Sequence, residues 1–288
     1  MPPLLAIVGE TASGKSALAI DLAKEFNGEI ICADSWTVYR GFDIGTAKPT
    51  KQERREVVHH LLDVADPAVG FSAVVFQRMA KRVINDIVDR GKLPIMVGGT
   101  GLYIDSVLYD YSFLPPSDPR LRDELNAMTI EQLLSRAGES KLDLTGIDTR
   151  NKRRVIRLIE NNGVRPQKHE LRSNTLILGL TVTSDQLRSQ IVSRVDAMME
   201  KGLEFEVRRL ANIYGWDVEP MKGIGYREWY QYFKNHQSLA ETRSQIINAT
   251  MLLAKKQRTW FKRNDSIQWL RDRGYVEDFL TTFLNKTD

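Results

Sequence analysis

The first third of the chain alternates short apolar runs with amphipathic segments, which predicts strands followed by helices. Residues 4–8 and 93–97 are continuous apolar runs, as is typical of strands that are buried on both faces. Residues 29–33 predict another strand between them, and helical spacing follows at residues 16–24 and 76–90. This order predicts an α/β fold in which helices cover both faces of a parallel sheet.

The pattern changes near residue 114, where the sequence LPPSDP begins. From there the chain is charged and helical in character, and the next apolar strand run is at residues 175–180. We therefore predict one α/β core, formed by residues 1–114 and 170–288, with a mostly helical insertion at residues 115–169. From residue 184 to the end the pattern is helical.

Composition narrows the class of protein only moderately. The chain has 288 residues, of which 42% are hydrophobic and 27% charged, as in an ordinary globular protein. No run approaches the ~20 apolar residues that cross a bilayer, and the apolar N-terminus lacks a basic leader, so we expect a first strand there and no membrane association. The single cysteine, Cys32, excludes an intramolecular disulfide and a multi-cysteine zinc site. We expect a cytoplasmic monomer, and the net charge of +4 permits a nucleic-acid partner.

A phosphate-binding loop is the strongest motif. Residues 9–16, GETASGKS, match GxxxxGK[ST] at every fixed position and lie between a predicted strand and a predicted helix. In such loops backbone N–H groups surround a phosphate, the lysine approaches its terminal oxygens, and the Ser16 hydroxyl can bind Mg²⁺. The motif predicts a P-loop kinase-like sheet and a nucleotide or diphosphate ligand, without specifying a reaction. The candidate ligand residues are Gly9, Thr11, Ala12, Ser13, Gly14, Lys15 and Ser16.

Two further loops follow predicted strands. Asp34 follows residues 29–33, and in a parallel sheet it would face the phosphate loop. It is a candidate for accepting a proton or binding Mg²⁺, although a turn or helix-capping residue is the common alternative. The sequence GGTGLY at residues 98–103 predicts a loop whose glycines allow close approach of a ligand. There Thr100 can bond a reacting group, or simply cap a tight turn.

Two segments are basic and contain no acid, at residues 150–157 and 255–263. If the second segment is helical, Lys256, Trp260 and Arg263 lie on one stripe at i, i+4 and i+7. Cations there would bind phosphates, and the indole would stack on an unpaired base. The alternative is a solvated helix face. His59 and His60 have no partner at metal-ligand spacing, so we interpret them as packing or hydrogen-bonding residues.

An ordered set of short motifs resembles the tRNA dimethylallyltransferase (tRNA isopentenyltransferase) family. The set comprises the phosphate loop, ADS at 33–35, DIGTAKP at 43–49, GGTGLY at 98–103, GYR at 225–227 and KQRTWF at 256–261. Each motif is moderately specific, but their order over about residues 4 to 263 is highly specific.

The resemblance implies transfer of a dimethylallyl group from dimethylallyl diphosphate to N6 of adenosine 37 in tRNA, with Mg²⁺ as the cofactor and diphosphate as the product. It implies catalytic roles for Asp34 as proton acceptor, and for Thr100 and Arg227 at the diphosphate. Together with the basic segments it gives these candidate tRNA contacts: Asp34, Ser35, Trp36, Thr37, Thr100, Arg122, Arg153, Arg154, Val155, Ile156, Arg157, Lys256, Trp260 and Arg263.

The chain departs from the family pattern at three positions. Many members have Met-Gln where this chain has Trp36 and Thr37, and Val75 replaces a common acid. Other functions stay open at this point: a small-molecule phosphoryl transferase, an adenylate prenyltransferase acting on free nucleotide, or a non-catalytic nucleotide- and RNA-binding protein. The basic segments favour a macromolecular acceptor, and the intact Lys15 and Asp34 argue against a non-catalytic role.

Overall fold

The computed structural model describes residues 1–115, 117–270 and 276–285. Its chain divides into two compact units, one formed by residues 1–108 with 171–288 and the other by residues 109–170. The insertion predicted at 115–169 falls within the second unit.

Six strands in the described residues form one sheet in which every pairing is parallel. Their order is β3-β2-β4-β1-β5-β6, which confirms the predicted parallel α/β fold. The strands are β1 (Leu4–Gly9), β2 (Gly28–Cys32), β3 (His59–His60), β4 (Leu93–Gly98), β5 (Thr175–Leu180) and β6 (Ile267–Leu270).

The helices surround this sheet or form the second unit. Several begin with a Ser or Thr whose hydroxyl accepts a backbone N–H, as Thr183 and Ser238 do. They are α1 (Lys15–Glu25), α2 (Lys51–Glu56), α3 (Ala73–Asp89), α4 (Gly101–Leu108), α5 (Pro119–Ala127), α6 (Ile130–Glu139), α7 (Lys152–Glu160), α8 (Ser184–Glu200), α9 (Leu203–Tyr214), α10 (Trp229–Phe233), α11 (Leu239–Phe261) and α12 (Val276–Asn285).

The core explains why the strand sequences are apolar throughout. All six residues of β1 are buried, and Leu5 and Ile7 pack with apolar residues of α1 and α12. Another apolar cluster joins α8, α9 and α11, and α11 also contacts β1. This packing brings the C-terminal half of the first unit up to the phosphate loop.

The helical pattern predicted from residue 184 onward is confirmed by α8 to α12 but is wrong at one strand. The pattern predicts helix throughout, yet Ile267–Leu270 forms β6 beside β5. The helix α11 ends at Phe261, and the Asn264 side chain accepts the Ser266 N–H at 3.0 Å in a turn that leads into β6. Arg263 therefore lies beyond the helix and does not continue the stripe of Lys256 and Trp260. The two-residue β3 was also missed, because so short a run has no readable period.

The second unit is the three-helix group α5, α6 and α7. Its own core includes Leu125, Leu133, Val155, Ile156 and Ile159. The helical character predicted for this segment is confirmed.

Candidate active site

The carboxyl ends of three neighbouring strands open into one cleft. The phosphate loop follows β1, Asp34 follows β2, and β4 ends at Gly98, with Gly99 directly after it. The cleft has a volume of about 400 Å³, and its lining includes residues 11–16, Asp34, Thr37, Gly98, Gly99, Gln190, Arg194 and Gln257. This is where parallel α/β sheets bind ligands.

The phosphate loop has a backbone shape that is unusual outside functional sites. Ala12 has φ 62° and Gly14 has φ 88°, so both are in the left-handed region, which costs a non-glycine residue about 1 kcal/mol. The Ser13 hydroxyl is buried, and among the described residues it has no hydrogen-bond partner. A buried polar group of this kind is normally satisfied, so the loop is shaped for a polar ligand.

Lys15 provides a buried cation at the start of α1. Its ammonium donates to the Glu10 carbonyl. Burial and the nearby Arg194 lower its pKa to about 7, although Asp34 and Glu10 act in the opposite direction. A bound anion would add negative charge beside these two buried cations and would favour the charged form of Lys15.

Arg194 is a second cation in the cleft, and sequence reasoning missed it. It extends from α8, and its Nη1 donates to the Thr11 hydroxyl at 2.9 Å. Burial lowers its pKa. Arg194 is one of several charged residues in α8, and only the folded structure shows that it lines the cleft together with Gln190, four residues before it.

Asp34 lines the same cleft as these cations, on a turn that its own carboxylate stabilises. Its Oδ1 accepts the N–H groups of Trp36 at 2.8 Å and Thr37 at 3.3 Å. The predicted turn role is therefore present, and the carboxylate also lines the cleft. Thr37 is buried, and its hydroxyl donates to the Asp34 carbonyl at 3.4 Å.

The remaining residues predicted to act in catalysis lie outside the cleft lining. Thr100 accepts the Ser35 N–H at 3.0 Å, so it ties the glycine loop to the segment carrying Asp34. Arg227 is more than half exposed, and its guanidinium pairs with Glu228 at 2.9 Å. The structure brings Asp34 to the phosphate loop, whereas Arg227 is not among the residues that line the cleft, and its role at the diphosphate stays a prediction.

The basic segment of α11 divides into exposed and half-buried positions. Lys256 is exposed, as is Arg263 in the turn beyond the helix. Trp260 is half-buried, and its Nε1–H donates to Asp105 at 3.0 Å. The indole thus has a structural partner, and stacking on a base stays a prediction.

The basic segment of the second unit is similarly divided. Arg153 and Arg154 are exposed, but Val155 and Ile156 are buried in the core of that unit. Arg122 and Arg157 both pair with the carboxylate of Glu160, whose side chain is 0% exposed. These two arginines hold α5 and the segment before it against α7.

His59 and His60, which form β3, both contact groups of the protein itself. His59 Nδ1 lies 2.8 Å from the Val57 carbonyl, and His60 contacts the buried Glu29. Among the described ranges there is no group of three His, Cys, Asp or Glu side chains that could hold a metal. In the same ranges, no helix has the length and apolarity needed to cross a membrane.

The structure is an α/β protein with a P-loop-like fold, in which the loop after β1 and the carboxylate of Asp34 line the same cleft. The model of the IPP transferase family matches residues 37–264. The tRNA dimethylallyltransferase of Bacillus velezensis is 41% identical over 283 residues, which cover 93% of this chain and 90% of that protein. The chain belongs to the IPP transferase family.

Solved structures agree over nearly the full length. A tRNA isopentenylpyrophosphate transferase from Bacillus halodurans matches with a TM-score of 0.78 and 35% identity, covering 100% of this chain and 98% of that one. A eukaryotic dimethylallyltransferase acting on tRNA matches with a TM-score of 0.80 and 25% identity, covering 99% and 79%.

Proposed function

We propose that this enzyme transfers a dimethylallyl group from dimethylallyl diphosphate to N6 of adenosine 37 in tRNA. One observation supports the chemistry: the cations Lys15 and Arg194 and the carboxylate of Asp34 line a single cleft. Cations suit a diphosphate leaving group, and a carboxylate suits an amine that loses a proton on attack. Family membership favours this reaction over phosphoryl transfer to a small molecule or a non-catalytic role.

The groups of the cleft can account for the bond that breaks and the proton that is lost in this transfer. The adenine N6 attacks C1 of the dimethylallyl group, the C1–O bond breaks, and its electron pair leaves with the diphosphate. Lys15 and Arg194 offset the charge that develops on the leaving oxygen. Asp34 accepts the proton that N6 loses, and its Oδ1 bonds to two backbone N–H groups fix the direction of the carboxylate.

The cleft also fits Mg²⁺. The Ser16 hydroxyl lines the cleft and would supply an oxygen ligand, because Mg²⁺ prefers a few protein oxygens together with phosphate oxygens and water. When bound, the ion would neutralise part of the diphosphate charge.

The test uses the purified protein with tRNA, dimethylallyl diphosphate and Mg²⁺, and with ATP as a parallel donor. We expect N6-dimethylallyladenosine in nuclease-digested tRNA, measured by mass spectrometry, and no transfer to free adenylate. Phosphoryl transfer from ATP without prenyl transfer would contradict the proposal.

The single buried cysteine suits a reducing compartment, and a cytoplasmic monomer stays a prediction.

Removing exposed cations should weaken tRNA binding in a salt-dependent way. Each of the variants Arg154→Ala, Lys256→Ala and Arg263→Ala should reduce the log–log salt slope of tRNA affinity by roughly 0.7 to 0.9. Binding with one phosphate contact fewer releases fewer counterions from the tRNA. Filter binding at several salt concentrations measures this slope.

Two controls separate a phosphate contact from a structural role. Lys24→Ala, outside both basic segments, should leave the slope unchanged. Arg122→Ala should chiefly lower the melting temperature, because it leaves the buried Glu160 carboxylate without its main partner. Unchanged tRNA affinity in all three variants would mean that these cations only face solvent.

A further inference from the structure

Gln257 makes hydrogen bonds to both walls of the cleft. Its Oε1 accepts the Thr11 N–H at 2.7 Å, and its Nε2 donates to the Gly99 carbonyl at 3.1 Å. The side chain is 8% exposed. The partners fix the orientation of the amide, because an N–H can only face the oxygen and a carbonyl can only face the nitrogen. One side chain of α11 therefore joins the loop after β1 to the loop after β4.

Two glycines of the glycine loop, residues 98–103, leave space for side chains of α11. A Cβ on Gly99 would lie 2.2 Å from Gln257 Nε2, and one on Gly101 would lie 2.3 Å from Trp260 Cδ1. Both distances are far shorter than a carbon contact allows. The sequence suggested that these glycines admit a ligand, whereas at Gly99 and Gly101 the structure shows side chains of the same chain in the space.

The neighbouring residue strengthens the same attachment. Arg258 pairs with Glu10 through two bonds of 2.9 and 2.8 Å, and the Glu10 backbone carbonyl accepts from Lys15. Residues 257 and 258 thus fasten the phosphate loop to α11 at two adjacent points, and only Gln257 also reaches the glycine loop.

We propose that Gln257 is a positioning residue that sets the separation of the phosphate loop and the glycine loop, and so the distance between the diphosphate donor and the attacking amine. The inference rests on the proposed function. The phosphate loop would hold the donor, while Gly99 is next to Thr100, which is bonded to Ser35 beside Asp34. A bridge between the two loops therefore connects the two halves of the reaction.

The principal variant is Gln257→Met, which keeps a similar length and removes both hydrogen bonds. Reacting groups that are misplaced by about 1 Å can lose 10²-fold in rate, so we expect kcat to fall by about 10- to 100-fold. KM for both substrates should stay within about threefold, because the residues that would bind them are intact. The matched control is Gln245→Met, an exposed glutamine of the same helix, which should change neither constant.

A second pair of variants keeps the test decisive if Gln257→Met is poorly folded. Gln257→Glu retains an acceptor for Thr11 but no donor for Gly99. Gly99→Ala adds a methyl group that would collide with the side-chain amide of Gln257. Both should lower kcat more than they raise KM. The double variant Gly99→Ala with Gln257→Glu should lower kcat less than the product of the two single effects, since both break one bridge. Independent, multiplying losses would overturn the proposal.

Amide hydrogen exchange tests the bridge without requiring turnover. In Gln257→Met, peptides covering residues 9–16 and 98–101 should exchange at least about tenfold faster, while Gln245→Met leaves them unchanged. If the wild-type protein transfers no prenyl group, the proposed function fails and the exchange result still judges the bridge. A wild-type kcat in the folded Gln257→Met variant, or unchanged exchange in either loop, would refute the positioning role.

Discussion

Lys15→Ala is expected to lower kcat for dimethylallyl transfer by about 10³-fold or more, while tRNA affinity changes only a few-fold. Lys15 is the buried cation of the phosphate loop, and one preorganised charge at a leaving group is worth about this much. The measurements are single-turnover transfer and tRNA binding on the same preparation. Lys24→Ala is the matched control, since Lys24 is exposed on the same helix and pairs with Glu56.

The same residue gives the donor affinity a defined pH dependence. The pKa of Lys15 without ligand is about 7, and a bound diphosphate would raise it. Well below pH 7 the lysine is charged in both states, so it contributes no pH dependence to the affinity there. As pH rises from about 7.5 to 9 the free protein loses a proton that the complex retains, so affinity should fall by up to tenfold per pH unit.

Calorimetric titration with inorganic diphosphate measures this slope. It should be absent in Lys15→Ala and unchanged in Lys24→Ala. Loss of tRNA binding with normal diphosphate binding in Lys15→Ala would show that the loop serves the acceptor instead.

Asp34→Asn is expected to lower kcat by about 10²- to 10⁴-fold, the range for removal of a general base. Asparagine keeps an Oδ1 that can accept the N–H groups of Trp36 and Thr37, so the turn should survive and the melting temperature should barely change. The variant therefore isolates proton acceptance from loop geometry.

The control is Asp66→Asn. Asp66 also accepts a backbone N–H through Oδ1, from Ala68 at 2.9 Å, but it is exposed and outside the cleft lining. Transfer assays at saturating tRNA and donor measure both variants. A kcat within about twofold of wild type for Asp34→Asn would remove Asp34 from the chemistry.

The sequence alone determined the features whose parts are contiguous in the chain. The strand run before residue 9, the GETASGKS loop and the helix after it form one local unit, so local patterns suffice to place Lys15 and Ser16. Asp34 could be placed for the same reason, because it directly follows a buried strand of a parallel sheet. The family resemblance added the substrates, which local physics alone left open.

Only the tertiary structure could show which distant residues complete the cleft. Arg194 is 183 residues from its partner Thr11, and Gln257 is 246 residues from the same loop. Their positions depend on how α8 and α11 pack beside the sheet, which helical periodicity does not encode. The pairing of Arg122 with the buried Glu160 likewise depends on how α5 packs against α7. Local patterns establish which groups a chain carries, whereas packing decides which of them meet a ligand and which of them are already neutralised by one another.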